Sequence, residues 1–428
     1  MNIRHTIQRI AKSELTKNSA KLLSANVVAQ AIGLLVYPLL TRLYTPDDFG
    51  LLNLFLSIGG VLVLLSTAEY QYAIVLPKRE EDARGLVQVC DFLLLITTGI
   101  VLLSVPFSKP IARLFNTQEL ANWYWLMPLF VLVMGLWNIL NYWYIRRKAY
   151  SRISGYQMGQ SILAASGKLG LGTMGYLQGG MIITTIFAPL VSISISILLA
   201  WKKHIRYLFA NPQVKLKELL KQYQNFPVYS LPRSVINMVA GQLPVLLLTP
   251  MFGTREIGFC SMAILLAFSP ISMITRAIYQ VLYQHVTVKV NTKQKVSQLF
   301  RQFTIGALSI TIPCFSVLYF FLPQLCQWLL GSEWSVTGEY IRWMLPWLCC
   351  NVLTSSTSFL YDIFFKQQKA LLFEILMAIL RAIGVLCGIL TNSFEIAIAG
   401  YALGSAISVL TQYIWLLNLV KKYDKLSL

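Results

Sequence analysis

The chain has 428 residues, of which 56% are hydrophobic and 12% charged, and its mean hydropathy is +0.61. A water-soluble domain carries about 25% charged residues, so this composition excludes a protein that presents its whole surface to water. The net charge of +19 invites a nucleic-acid reading, against which the placement of the charges argues.

From the N-terminus, residues 1–18 read as an amphipathic tail with Ile3, Ile7, Ile10 and Leu15 among basic residues. No apolar core precedes a small-residue cleavage site, so a cleavable signal peptide is not expected. Apolar runs of about 20 residues, the length that crosses the hydrocarbon core as a helix, then recur. The pattern predicts an all-α polytopic membrane protein of twelve transmembrane helices. They lie near 19–41, 50–76, 86–106, 121–145, 153–175, 180–201, 226–250, 256–280, 302–322, 336–363, 370–391 and 395–419. The second, fourth and tenth are long, which predicts tilt or an interfacial turn. The domain reading is a six-helix lobe over 19–201, a basic linker over 202–225, a second six-helix lobe over 226–419 and a short tail over 420–428.

Lysine and arginine set the orientation. With the N-terminus inside, the inside segments hold 27 of the 36 Lys and Arg, against five outside. Both termini are therefore expected in the cytoplasm, and the positive charge is assigned to anionic lipid rather than to nucleic acid. The two longest links, 202–225 and 281–301, fall inside and are basic, and no segment is long enough for a soluble catalytic domain.

A shift of 208 residues lays the first predicted helix on the seventh and the sixth on the twelfth. The corner Pro46-Asp47-Asp48-Phe49-Gly50 then falls on Thr254-Arg255-Glu256-Ile257-Gly258. Two such lobes would be related by a pseudo-two-fold along the membrane normal, with a cavity between them near the midplane.

Ionisable side chains at membrane depth are costly and mark functional candidates. Arg233 follows Leu231-Pro232, where proline removes a backbone donor, and reads as an anion anchor; snorkelling to the headgroups is the alternative. Lys168 sits deep in a helix rich in glycine (Gly155, Gly159, Gly167, Gly170, Gly172, Gly175), where small residues permit close packing. It faces either a cavity or a buried partner. Arg381 and Glu374 are seven residues apart on one helix face, as a salt bridge through a shared neighbour or as a substrate-binding cation beside a coupling carboxylate. Glu69 is a further candidate coupling or pairing carboxylate. Arg276 and Asp362 lie near inner span ends, where snorkelling competes with a role in the cavity. Pro232 and Pro244 in the seventh helix are candidate gating points, since proline is a usual cause of kinks.

The 21 Tyr and 10 Trp are expected mostly as interfacial belts, with stacking on sugar rings as the other use. Seven cysteines in apolar stretches and three histidines at or near the inside surface offer no metal-ligand or disulfide spacing. No metal and no cofactor is expected.

The stretch Asn26–Gly50, ending Pro38-Leu39-Leu40-Thr41-Arg42-Leu43-Tyr44-Thr45-Pro46-Asp47-Asp48-Phe49-Gly50, resembles the first-helix signature of polysaccharide-biosynthesis flippases. Phe226-Pro227-Val228-Tyr229-Ser230-Leu231-Pro232, Gln242–Leu248 and Ile257-Gly258-Phe259 resemble their seventh and eighth helices. These are the O-antigen and capsule flippases of the multidrug/oligosaccharidyl-lipid/polysaccharide exporter superfamily. The resemblance implies alternating access and an undecaprenyl-diphosphate-linked repeat unit as substrate, moved from the cytoplasmic to the periplasmic leaflet of the inner membrane. It also implies a cationic cavity and, in some relatives, a proton or sodium counter-ion. Membrane lipid and other polysaccharide-assembly proteins are candidate partners. The roles of Arg233 and Arg276 do not come from the resemblance; they rest on their chemistry.

Two other readings compete. A multidrug or small-molecule exporter of the same superfamily would favour an acidic cavity, whereas cations here match or exceed acids. A membrane polymerase or ligase would need a sizeable outside loop for acid/base work, and the turn carrying Asp47 and Asp48 is only a few residues long.

Overall fold

The computed structural model describes residues 30–206, 215–292, 294–364 and 366–426. The tail expected over 1–18, and the parts of the first span and of the linker that fall on 19–29 and 207–214, lie outside the described residues. Every regular element among the described residues is helical. Helix α1 is described over Gln30–Leu43. Helix α2 (Pro46–Ser66) follows it after a tight corner. Thr45 and Asp48 build that corner as a reciprocal cap. The Asp48 carboxylate accepts from the Thr45 amide at 2.9 Å and from its hydroxyl at 2.8 Å. Pro46 opens α2, where its missing N–H costs nothing.

The second span was expected to run to residue 76, but α2 stops at Ser66. Ala68 (φ 46°) and Glu69 (φ 61°) take left-handed backbone, which ends the helix, and a 3-10 segment covers Tyr70–Val75. Carbonyls at the far end of that segment are satisfied by Arg146, which donates to Ile74 O at 3.2 Å and Pro77 O at 2.8 Å. The fourth span divides into α5 (Glu119–Trp123), a 3-10 turn (Tyr124–Leu126) and α6 (Met127–Arg146), preceded by α3 (Glu80–Ser104) and α4 (Ser108–Leu114). Then come α7 (Tyr150–Thr173), α8 (Leu177–Ala200) and α9 (Leu216–Gln222).

Helix α10 (Leu231–Asn291) contains the expected break between the seventh and eighth spans: Gly253 has φ 83° and ψ 175°, outside helical geometry. The link expected over 281–301 is mostly helix, because α10 runs on to Asn291 and α11 (Ser297–Leu330) begins six residues later. The tenth span ends early, as α12 (Ser335–Thr357) followed by a one-turn α13 (Leu360–Ile363). Helices α14 (Gln367–Leu390) and α15 (Phe394–Leu426) complete the chain. Eight helical stretches among the described residues are long and apolar enough to cross a membrane. On α11, Ile310, Phe320 and Trp328 are exposed, which suits a helix facing hydrocarbon rather than water. This is a multi-pass α-helical membrane protein.

The chain forms two compact units. One takes the chain up to Tyr44, Phe55–Arg113 and Gln118–Val235; the other takes Thr45–Leu54, Leu114–Thr117 and Ile236–Leu428. In the first, α3, α6 and the 3-10 segment pack together and α7 pairs with α8. Its core holds Leu86, Cys90, Val131, Trp143 and Tyr144. In the second, α11, α12, α14 and α15 pack in a layer. A separate core of Val286, Phe300, Phe359 and Leu416 gathers the ends of α10, α11 and α15. Asp424 of α15 caps α11, accepting from the amides of Val296 at 2.9 Å and Ser297 at 2.8 Å.

Candidate substrate-binding and coupling residues

Helices α14 and α15 meet through two Gly-xxx-Gly seams, Gly384/Gly388 and Gly400/Gly404. A Cβ on Gly384 would lie 2.2 Å from the Gly400 carbonyl carbon, and one on Gly388 2.2 Å from the Ala397 Cβ. Only residues without side chains allow backbones this close. The close crossing sets Arg381 of α14 against α15. Arg381 is 7% exposed. Its Nε donates to the Ser405 hydroxyl at 2.8 Å, and that hydroxyl in turn donates to the Tyr401 carbonyl at 2.7 Å.

The guanidinium carbon lies 4.8 Å from the centroid of the Tyr401 ring and 5.0 Å from that of Trp347. The two rings meet edge to face at 5.6 Å. The negative faces of aromatic rings attract a cation and repay part of its desolvation. Among the described residues, no carboxylate lies within ion-pair distance of Arg381 and its terminal amino groups have no hydrogen-bond partner. Glu374, seven residues earlier on the same face, makes no direct ion pair with Arg381. Sequence reasoning found Arg381 but not Trp347, Tyr401 or Ser405; the paired Gly-xxx-Gly motifs were the available signal.

In the first unit, two of the glycines of α7 pack closely, while Gly155 and Gly170 have open space beside them. A Cβ on Gly167 would lie 2.7 Å from Thr184 Cγ2 of α8, and one on Gly172 2.9 Å from the Tyr44 ring. The Tyr44 hydroxyl donates to the Lys168 carbonyl at 2.7 Å. Lys168 itself is half-buried, and among the described residues no carboxylate is within ion-pair distance of its ammonium.

Glu69 is 2% exposed. One of its carboxylate oxygens is fully buried with no hydrogen-bond partner among the described residues. Its position follows from the left-handed backbone that ends α2. Nearby, Tyr72 and Tyr142 meet edge to face at 4.8 Å.

The remaining candidates differ in exposure. Arg233 and Arg276 are exposed on α10, with Pro232 exposed at its start and Pro244 buried within it. Glu374 is half-buried on α14. Asp362 is exposed on α13 and accepts from Gln367 Nε2 at 3.5 Å. Within the second unit, the fold gives Arg381 a built environment of two rings and a hydroxyl.

The fold has close counterparts. A multidrug-resistance MATE family transporter of the MOP superfamily, in an inward-facing conformation, superposes with a TM-score of 0.66 at 14% identity, covering 95% of this chain and 96% of its own. A MOP superfamily transporter from Pyrococcus furiosus, described as having a binding pocket of reverse polarity, gives 0.61 at 14% identity over 95% and 96%. A variant of a Vibrio cholerae MATE transporter gives 0.57 at 16% identity over 96% and 97%. These likenesses establish the fold. A comparison with curated protein sequences finds no match. The family model described as polysaccharide biosynthesis protein matches residues 39–338, most of the length, and by that match the chain belongs to the polysaccharide biosynthesis protein family.

Proposed function

We propose that this protein is a flippase that moves an undecaprenyl-diphosphate-linked oligosaccharide repeat unit from the cytoplasmic to the periplasmic leaflet, for O-antigen or capsule synthesis. The observation that carries the reading is Arg381. A buried cation is expensive unless paired, and this one is held by two aromatic rings and a hydroxyl, with terminal N–H donors left over. A guanidinium fork matches phosphate oxygens. Lys168 supplies a second cation at membrane depth. This sign of charge suits an anionic lipid-linked diphosphate better than a cationic drug.

In this reading α1, α7, α12 and the two halves of the broken α10 complete twelve crossings. These form two six-helix lobes related by a pseudo-two-fold and working by alternating access. Both termini lie in the cytoplasm and the membrane is the bacterial inner membrane. Arg233 and Arg276 guide the anionic substrate, and Pro232 and Pro244 lie at the moving helix. Glu69, with its buried unpaired oxygen, is the coupling carboxylate for a proton or sodium ion, with Glu374 and Asp362 as charge partners.

The test is deletion of the gene in the producing strain. Lipid-linked repeat units should accumulate facing the cytoplasm while surface polysaccharide is lost, and Arg381→Ala should fail to restore export at normal protein levels. Single units that reach the periplasmic face but remain unpolymerised would overturn the reading in favour of an enzyme acting after transport.

A further inference from the structure

A second polar site lies away from Arg381, between the start of α7 and the end of α8. A pocket of ≈150 Å³ opens there, lined by Arg152, Gly155, Tyr156, Ser192, Ser196 and Leu199 among others. Two of its hydroxyls are deeply buried and unsatisfied. Tyr156 is 3% exposed and Ser192 4%, and neither the phenol oxygen nor the serine oxygen has a hydrogen-bond partner among the described residues. Buried polar atoms are nearly always paired, so two on residues that line one pocket point to a missing partner.

The charge at the rim is also uncommitted. Arg146, Arg147 and Arg152 are close in sequence, but two are already engaged. Arg146 holds the carbonyls after α2, and Arg147 pairs with Glu80 at 3.1 Å and lies over Trp143. Arg152 has no carboxylate within ion-pair distance among the described residues. Gly155 is exposed and leaves the lining open, since a Cβ there would meet nothing within 4 Å. Beside the mouth, Ile195 and Leu199 are exposed apolar side chains at 48% and 63%, so the pocket opens onto hydrocarbon.

One water occupies about 30 Å³ of liquid volume, so the pocket is several times too large for a single bridging water, and water supplies no charge for Arg152. A phosphodiester offers acceptor oxygens for the hydroxyls and a negative charge for the guanidinium. Basic pockets between transmembrane helices bind anionic headgroups in this manner. We propose that this pocket holds the phosphate of an anionic glycerophospholipid, with Tyr156, Ser192 and Arg152 as donors and the acyl chains lying along Ile195 and Leu199. The site is separate from the transport residues proposed above and stands whether or not that reading holds.

The test is native mass spectrometry of the full-length protein, offered phosphatidylglycerol and phosphatidylcholine at equal concentration. The expected result is one tightly retained phosphatidylglycerol. Arg152→Ala should weaken its retention about fivefold, the effect of one surface cation on an anionic lipid. Gly155→Leu, which fills the pocket, should abolish it. Tyr156→Phe keeps the ring stacked on Trp137 and should also weaken retention, so the test survives if Gly155→Leu does not fold. Equal retention of the two lipids would overturn the proposal. So would retention unchanged by Arg152→Ala and Tyr156→Phe, or recovery of a prenyl phosphate in place of the glycerophospholipid.

Discussion

Gly50 and Gly258 meet the same obstacle in reciprocal places. A Cβ on Gly50 would lie 1.8 Å from the carbonyl oxygen of Thr254, and a Cβ on Gly258 1.9 Å from that of Pro46. Pro46 and Thr254 are separated by 208 residues, and so are Gly50 and Gly258, so the contact maps onto itself when the two segments are exchanged. The Thr254 hydroxyl donates to the Asp47 carboxylate at 2.6 Å across the same crossing, and Trp334 is buried with its ring edge-to-face to both Phe49 and Phe259.

Gly50→Ala and Gly258→Ala should therefore destabilise the protein by similar amounts. Forcing a methyl into a packed crossing costs about 1–3 kcal/mol. Melting temperatures of the purified variants check this, and a clear drop for one with none for the other would count against the reciprocal contact.

Asp424→Ala should lose the cap on α11, at a cost of about 1 kcal/mol as for other helix caps. Hydrogen exchange should rise at the amides of Val296 and Ser297, and Asp424→Asn, which keeps one acceptor oxygen, should show a smaller rise. Unchanged exchange would mean that the cap adds nothing in solution.

Arg342 serves a proline. Pro323 has no N–H to give the Tyr319 carbonyl one turn back, and Arg342 Nε donates to that carbonyl at 2.6 Å, with Nη2 reaching Phe320 O at 3.1 Å. Arg342→Met should cost about 1–3 kcal/mol, the penalty for an unsatisfied polar group. Pro323→Ala restores the backbone donor and should reduce that cost in the double variant. A double-mutant cycle by thermal melting reads the coupling, and strict additivity would sink the pairing.

Arg381→Lys keeps the charge but removes the planar fork and its contact with two rings. Lipid-linked export should fall at least tenfold, a loss of about 1.4 kcal/mol, while protein levels hold. Full export by the lysine variant would show that charge alone suffices.

Glu69→Gln removes a buried carboxylate whose one oxygen has no partner among the described residues. An unpaired buried charge opposes folding, so this variant should melt no lower than the parent. Its transport should at the same time lose dependence on the ion gradient, measured in vesicles with and without an imposed pH or sodium gradient. A variant that keeps normal gradient dependence removes Glu69 from the coupling role.

The membrane class, the helical secondary structure and most helix positions were legible in the sequence because each follows from a run of about 20 apolar residues. A corner between the first two helices, the break at Gly253 and the close packing at Gly167 and Gly172 of α7 were legible too. They rest on local chemistry: turn-forming residues, a residue free to take positive φ, and side chains small enough to admit a neighbour. An interruption of the second span was legible from its length, but the place where α2 ends was not, since Ala68 and Glu69 carry no turn signature and Arg146, more than seventy residues on, holds the carbonyls beyond them.

The surroundings of each charge were likewise decided by tertiary structure. Spacing alone placed Glu374 on the same helical face as Arg381, but the seams at Gly384/Gly388 and Gly400/Gly404 bring Tyr401 and Ser405 to that cation instead. Of the cations just before and within α7, sequence could not say that Arg146 and Arg147 are engaged while Arg152 lines a pocket with two unsatisfied hydroxyls. The physical reason is range. Hydropathy and capping act within a few residues, whereas the partner of a buried charge is fixed by which helix packs across from it.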